Sequence, residues 1–297
     1  MGPIGGSTGR AAGLALLGLA VLLLAGCTAK SGSSFRFDWD VFSTQIVQPD
    51  RAILGGLYLT VVISIISQAI GVGLGVVAAL GRMSRRLPLR LVAGAYVWVF
   101  RGTPLLVQLV FLYFGLSVAH IYSWPTISLL GVPIPGAIQA GIVALGLNEG
   151  AYMSEIVRAG IISIDPGQME AAKSLGMTYG VGMRRIILPQ AARVIVPPLG
   201  NEFNNMLKTT SLLFAIGVQE LYETFVIKQG NNFQPFEMYL AAAVWFLALT
   251  TIWSLVQVRI ERRFARGTAA GVNQATPGLR QRLAGLRGGA GQLTSGR

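Results

Sequence analysis

Five runs of this chain are long and apolar enough to cross a lipid bilayer, and they constrain its fold more than any motif does. They fall near Ala52–Leu80, Leu91–Val118, Ala137–Ala159, Val194–Val218 and Met238–Val258, each at or above the ~20 residues that a spanning helix needs. In hydrocarbon every backbone N–H and C=O must be bonded within the segment, so runs of this length read as helices. Composition agrees: 53% of the residues are hydrophobic and only 12% charged, against about 25% charged in a soluble domain. The chain therefore reads as an all-α polytopic membrane protein with five spans.

Orientation follows from the loops. Four arginines and no acid separate the first two runs; five cations and two acids lie from Arg158 to Arg193, where the third gives way to the fourth; eight cations and one acid follow the fifth. The alternate loops are poor in cations: Ala119–Gly136 has none and Gln219–Glu237 has only Lys228. Under the positive-inside rule the cation-rich loops and the C-terminus are cytoplasmic. The same clustering accounts for the formal charge of +12 and argues against a nucleic-acid partner, since no basic and aromatic motif accompanies it. One cysteine, Cys27, excludes an intrachain disulfide, and one histidine, His120, argues against a metal site or a hydrolytic triad.

Residues 1–27 hold a shorter apolar stretch ending Leu24-Ala25-Gly26-Cys27. It resembles a signal segment with a lipoprotein-type end, Cys27 being a possible lipidation site. A short first span and a start codon placed too early are the alternatives. Residues 28–50 then form an external segment, 51–265 a transmembrane domain, and 266–297 a basic cytoplasmic tail whose composition predicts disorder.

The largest cation-rich loop carries a polar insert, residues 165–190. Asp165 reads as an N-cap, Pro166 as a first-turn proline, Gln168 as a capping-box partner and Gly176 as the residue after the helix end. A second short helix is expected from Thr178 to Leu188, stopped by Pro189. On physical grounds alone an amphipathic surface helix would explain the basic residues beside apolar ones. It would not explain the tight turn at Gly176.

Glu170, Ala171, Ala172, Gly176, Ile186, Leu188 and Pro189 match the EAA loop of ABC importer permeases in identity and spacing. The stretches FRGTPLLVQL, LNEGAYMSEIVRAGI, RRIILPQAARVIVPPLGNEF and FEMYL resemble the polar amino acid (histidine/glutamine/arginine/opine) permeases, and the resemblance covers about residues 50–265. It implies a type I importer permease core in a bacterial inner membrane, working by alternating access. It also implies three kinds of partner: ATP-binding cassette subunits that carry the ATP and Mg, a second permease copy or paralogue, and an extracytoplasmic substrate-binding protein. The seven matched residues would then be ATPase-coupling positions, with Glu170 as a contact and Gly176 as the turn.

The chain itself has no P-loop, not even a Gly-Lys dipeptide, and no enzymatic constellation. It is therefore read as a transporter subunit without a cofactor of its own. Ionisable residues inside spans are costly and informative. Arg101 and Glu149 fall near the middles of the second and third runs, with Asn148 beside the latter, and Glu202 follows a Pro-Pro pair in the fourth. These four are the candidate substrate pathway. Arg101 either neutralises a carboxylate within the bundle or joins Glu149 in recognising a zwitterion. Glu149 favours a cationic or neutral polar amino acid. Glu155 and Arg158 read as a structural pair on one helix face, Lys208 as a residue of the cavity or of a helix face, and Gly71, Gly73 and Gly75 as packing glycines. An ion-gradient-driven carrier using Glu149 is the rival reading; a membrane scaffold anchored through Cys27 is a third.

Overall fold

The computed structural model describes residues 36–129 and 131–265. Cys27 and the 266–297 tail lie outside the described residues. The chain divides into Met1–Trp39 and Asp40–Arg297; in the first, the rings of Phe37 and Trp39 meet edge-on at 4.6 Å.

A short helix α1 (Trp39–Val47) precedes α2 (Arg51–Arg82). Asp50 caps α2, accepting from the Ile53 amide at 3.0 Å, and its other carboxylate oxygen takes a 2.6 Å bond from Lys228 Nζ. Burial pushes the Asp50 carboxyl up, but the Lys228 and Ile53 contacts outweigh it and hold the group below its usual range. Its contribution is therefore present above the ordinary carboxylate pKa and is lost as pH falls through the depressed one. The exposed ion pair is worth at most about 1 kcal/mol, and the cap about as much. Asp50→Ala is expected to cost about 1 kcal/mol, and Asp50→Asn, which still caps, much less; detergent melting curves check both.

Helix α3 (Leu87–Gly102) follows a basic corner, and α4 starts at Leu105–Val110 and continues through a π turn, Phe111–Gly115, to Val118. The two helices meet at 107°. Thr103 must be extended because it precedes Pro104, so the helix cannot run through. The second apolar run is therefore bent rather than one straight span. A two-stranded hairpin (β1 Ile127–Leu129, β2 Val132–Ile134) leads into α5 (Gly136–Ile162).

Helix α5 is the axis of the bundle. It runs parallel to α2, with Ile63 near Leu145 in one apolar cluster and Ala79 near Val157 and Ile161 in another. The two backbones approach closely over glycine: a Cβ on Gly71 would lie 2.5 Å from Glu149 Cγ, and one on Gly75 would overlap Met153. Gly73 faces open space, so two of the three expected packing glycines pack. Gly75→Val is expected to destabilise the bundle by about 1–3 kcal/mol, as overpacking does, with Gly73→Val near neutral; thermal unfolding in detergent distinguishes them.

After α6 (Pro166–Ser174) and α7 (Tyr179–Gly182), a π turn, Met183–Ile187, joins α8 (Leu188–Thr209) without a break. Pro189 was expected to stop this helix and does not. The Leu188 amide reaches back five residues to the Met183 carbonyl, and this wider turn accommodates the proline ring, which would clash in a regular α-helix. A 3-10 segment, Thr210–Ile216, and α9 (Leu221–Asn232) follow, and α10 (Pro235–Ala265) closes the bundle. Helix α8 is antiparallel to α5, with Gly160 against Ile195 and Gly141 against Leu213. Helix α10 is antiparallel to α8: Trp253 Nε1 donates to the Gly200 carbonyl at 2.8 Å, and Gln257 Nε2 to that of Pro197 at 3.3 Å.

These directions bring the α2–α3 corner, the polar insert and the basic end of α10 to one end of the bundle. Asp50, Lys228 and the hairpin lie at the other. Helices occupy all five apolar runs, but among the described residues only Arg51–Arg82 and Pro235–Phe264 are long and apolar enough to cross alone, with two bent pairs passing the same test. Helix α5 is long enough and falls short in apolarity. It is the inner helix, and its middle carries the polar side chains of a cavity.

Candidate functional site

The polar insert is a tight pair of short helices. Asp165 accepts from the Gly167 amide at 2.7 Å, confirming the cap. Gln168 does not complete a capping box; its side chain accepts instead from Gln190 across the insert at 3.4 Å. Gly176 has φ +79°. Its amide donates to the Lys173 carbonyl at 2.9 Å and that of Met177 to Ala172 at 3.0 Å, the two bonds of a Schellman ending. Ala172 is buried where the arms meet: a Cβ on Gly182 would stand 3.3 Å from the Ala172 methyl. Glu170 and Ala171 are exposed. Ile187 is buried with Ala79, Val157, Ile161 and Ala191, with Ile186 packed against that cluster, while Leu188 is exposed. The insert is thus seated on α2, α5 and α8, with its acidic tip free.

Arg101 was expected either to neutralise a carboxylate within the bundle or to join Glu149 in recognising a zwitterion, and the geometry matches the first reading. Arg101 Nη1 lies 3.1 Å from Glu155 Oε1, an oxygen that also takes a 2.7 Å bond from Arg82; Arg158 holds the other oxygen at 2.9 Å. The expected Glu155–Arg158 pair is present, enlarged into three guanidinium groups on one carboxylate. Arg101 also lies over the Tyr152 ring, 5.3 Å from its centroid. Glu155 stands six residues beyond Glu149, about 9 Å along a helix toward the insert end. The bend after Gly102 explains why equal depth in sequence did not mean contact.

Glu149 is buried, 6% exposed, and accepts from Gln68 Nε2 at 2.9 Å. It lines a cavity of about 480 Å³ together with Asn148, Glu202, Asn205, Lys208 and Thr209, closed on its apolar side by Leu105, Leu145, Met206 and Leu212. Three of the four proposed pathway residues therefore share one cavity, and Arg101 is not among its lining. The cation there is Lys208. Asn148 also holds the neighbouring backbone, its Nδ2 donating to the Phe100 carbonyl at 3.1 Å and to Gln108 Oε1 at 3.0 Å. Gln108 Nε2 in turn donates to the Phe100 and Thr103 carbonyls at 2.9 and 3.1 Å. These bonds satisfy carbonyls released where α3 breaks. Gln68 and Gln108 escaped the sequence reading, although each is a polar residue inside an apolar run, which is the signal that would have found them.

A family model described as binding-protein-dependent transport system inner membrane component matches residues 71–266. The arginine transport system permease protein ArgU of Corynebacterium glutamicum is 39% identical over 253 residues, covering 84% of this chain and 78% of that protein. The L-cystine transport system permease protein TcyB of Bacillus subtilis is 42% identical over 216 residues, 72% of this chain and 87% of that one. Among solved structures, a crystal structure of an amino acid ABC transporter with histidines superposes with a TM-score of 0.66 at 40% identity, covering 77% of this chain and 100% of the other.

Proposed function

This chain belongs to the family of binding-protein-dependent transport system inner membrane components and is the permease subunit of an amino acid ABC importer, and from that premise we propose what it carries and how it is driven. Hydrolysis of ATP belongs to a separate subunit, and a substrate-binding protein delivers the cargo. The proposed cargo is a cationic or neutral polar amino acid. The observation that carries this is the cavity lined by Glu149, Glu202 and Lys208. Two carboxylates and one ammonium leave one negative charge to be matched. Lys208 complements an α-carboxylate, Glu149 and Glu202 an α-ammonium and a cationic side chain; buried charges must be paired to be tolerated. An acidic amino acid would add a charge with no partner there.

The insert, residues 165–190, is the docking element for the ATPase, with Glu170 as its contact and Gly176 as its turn. The insert end faces the cytoplasm, as the positive-inside rule requires. Two copies of this chain, or this chain and a paralogue, form the pathway, and ATP-driven approach of the two inserts turns the cavity outward.

Affinity purification from native membranes, followed by uptake in proteoliposomes, tests both parts. Co-purification of a P-loop ATPase with the parent chain, and its loss from a Glu170→Ala/Gly176→Val variant, is the expected result. Uptake should be competed by cationic and neutral polar amino acids and not by aspartate or glutamate. Uptake by the chain alone on an ion gradient would overturn the coupling; competition by aspartate would overturn the cargo.

A further inference from the structure

Outside the cargo cavity and the insert, a groove of about 520 Å³ lies between α2 and α3, at the insert end. Leu74, Val77, Ala78, Leu80, Leu89 and Val92 line it. The Tyr96 ring also faces it, but that hydroxyl is already bonded to the Leu147 carbonyl at 2.6 Å. Water entering such a groove would find almost nothing to bond, so its natural content is hydrocarbon. At its mouth the chain turns through Ser84, Arg85 and Arg86, with Arg90 one turn into α3. Arg85, Arg86 and Arg90 are exposed, and among the described residues none of them has a carboxylate partner; Arg82, beside them, is taken by Glu155. No side chain caps the first turn of α3; Pro88 has no N–H, which leaves the Leu87 and Leu89 amides open to the same anion as the arginines.

We propose that this groove is a binding site for an anionic phospholipid, with an acyl chain along α2 and α3 and the headgroup phosphate on Arg85, Arg86 and Arg90. Charge complementarity selects this occupant: a zwitterionic lipid would fill the groove equally well but leave three guanidinium groups at its mouth unmatched. Basic clusters immediately beyond a span attract anionic lipid in this way. The site differs from the general attraction of a basic loop because it joins the cations to a preformed apolar slot. The proposal rests on the insert end facing the cytoplasm, so the headgroup belongs to the inner leaflet.

Native mass spectrometry of the intact complex, taken from vesicles of equal parts phosphatidylglycerol and phosphatidylcholine, tests it. The parent should retain phosphatidylglycerol in preference by about tenfold. Arg85→Gln/Arg86→Gln/Arg90→Gln should abolish the preference while still carrying some lipid. Val77→Trp, at an exposed position that lines the groove, should lower retention of both lipids without unfolding the bundle. Equal retention of the two lipids by the parent overturns the proposal, as does a preference that survives the triple substitution. Loss of the ATPase from the triple variant with its lipid preference intact would make the corner a protein contact instead. Displacement of the lipid by inorganic phosphate, with Val77→Trp silent, would reduce it to a phosphate site and overturn the groove. Labelling of Ser84→Cys, in a Cys27→Ser background, by an impermeant maleimide tests the orientation separately: labelling from outside refutes the topology whatever the lipid result.

Discussion

Valine at position 176 is expected to abolish ATP-driven uptake while the bundle remains folded. Gly176 holds φ +79°, a region that costs a residue with a side chain about 1–2 kcal/mol and a β-branched one more. The penalty falls on the two Schellman bonds that set the angle between α6 and α7. A Cβ at this position would meet nothing within 4 Å, so the effect is conformational and not a clash with the core. Below the turn, α7 continues through the π turn and Pro189 into α8 as one helical rod. A force on the insert is therefore carried into the wall of the cavity that holds Glu202, Asn205 and Lys208. If the turn opens, Glu170 leaves its place and the rod has nothing to push it. Gly176→Asn, which tolerates a left-handed backbone, should keep most of the activity, whereas Gly176→Val should lose it with melting temperature nearly unchanged. Uptake and substrate-stimulated ATPase activity in proteoliposomes measure this, and Gly176→Val behaving like the parent would overturn the insert as the coupling element.

How much of this was legible in the sequence depended on whether the cause was local. The cap at Asp165, the turn at Gly176 and the grouping of cation-rich loops at one end depend on near neighbours or on the bilayer, and each could be read directly. Pro189 misled because the rule that proline ends a helix assumes a regular α-helix; the π turn that accommodates it, Met183–Ile187, is packed against α2 and α5 through contacts distant in the chain. That Arg101 pairs with a carboxylate could be read from the sequence, but which carboxylate could not. Depth was inferred from straight spans, but the extended Thr103 before Pro104 bends the second run through 107°, and Arg101 meets Glu155 instead of Glu149. Asn148 proved to be both a cavity residue and a clamp on the Phe100 carbonyl, a role that needs a partner 48 residues away in the chain. Lys208, a cation inside the fourth apolar run, could be read as a residue of the cavity or of a helix face, and the sequence did not choose between them. Only the return of α8 along α5 brings it to the cavity with Glu149.

Glu149→Gln is expected to remove uptake of a cationic amino acid by about a hundredfold or more and to spare neutral substrates by comparison. The substitution is nearly isosteric. The amide can still accept from Gln68 Nε2, which holds the carboxylate at 2.9 Å, so the packing of α5 on Gly71 is preserved. What is lost is one negative charge in a cavity whose other acid is Glu202 and whose cation is Lys208. Breaking a buried charge pair by removing one partner costs about 3–5 kcal/mol, because the remaining charge is left unmatched. Here the unmatched charge would be the cargo's own, so the loss should appear as a raised half-saturation for cationic cargo. Lys208→Met should do the complementary thing, weakening every amino acid through its α-carboxylate and leaving decarboxylated amines less affected. Competition profiles of the two variants in proteoliposomes carry the test. If Glu149→Gln lowers uptake of cationic and neutral amino acids equally, Glu149 holds helices and not cargo. Its contact with Gln68 would then be its whole role.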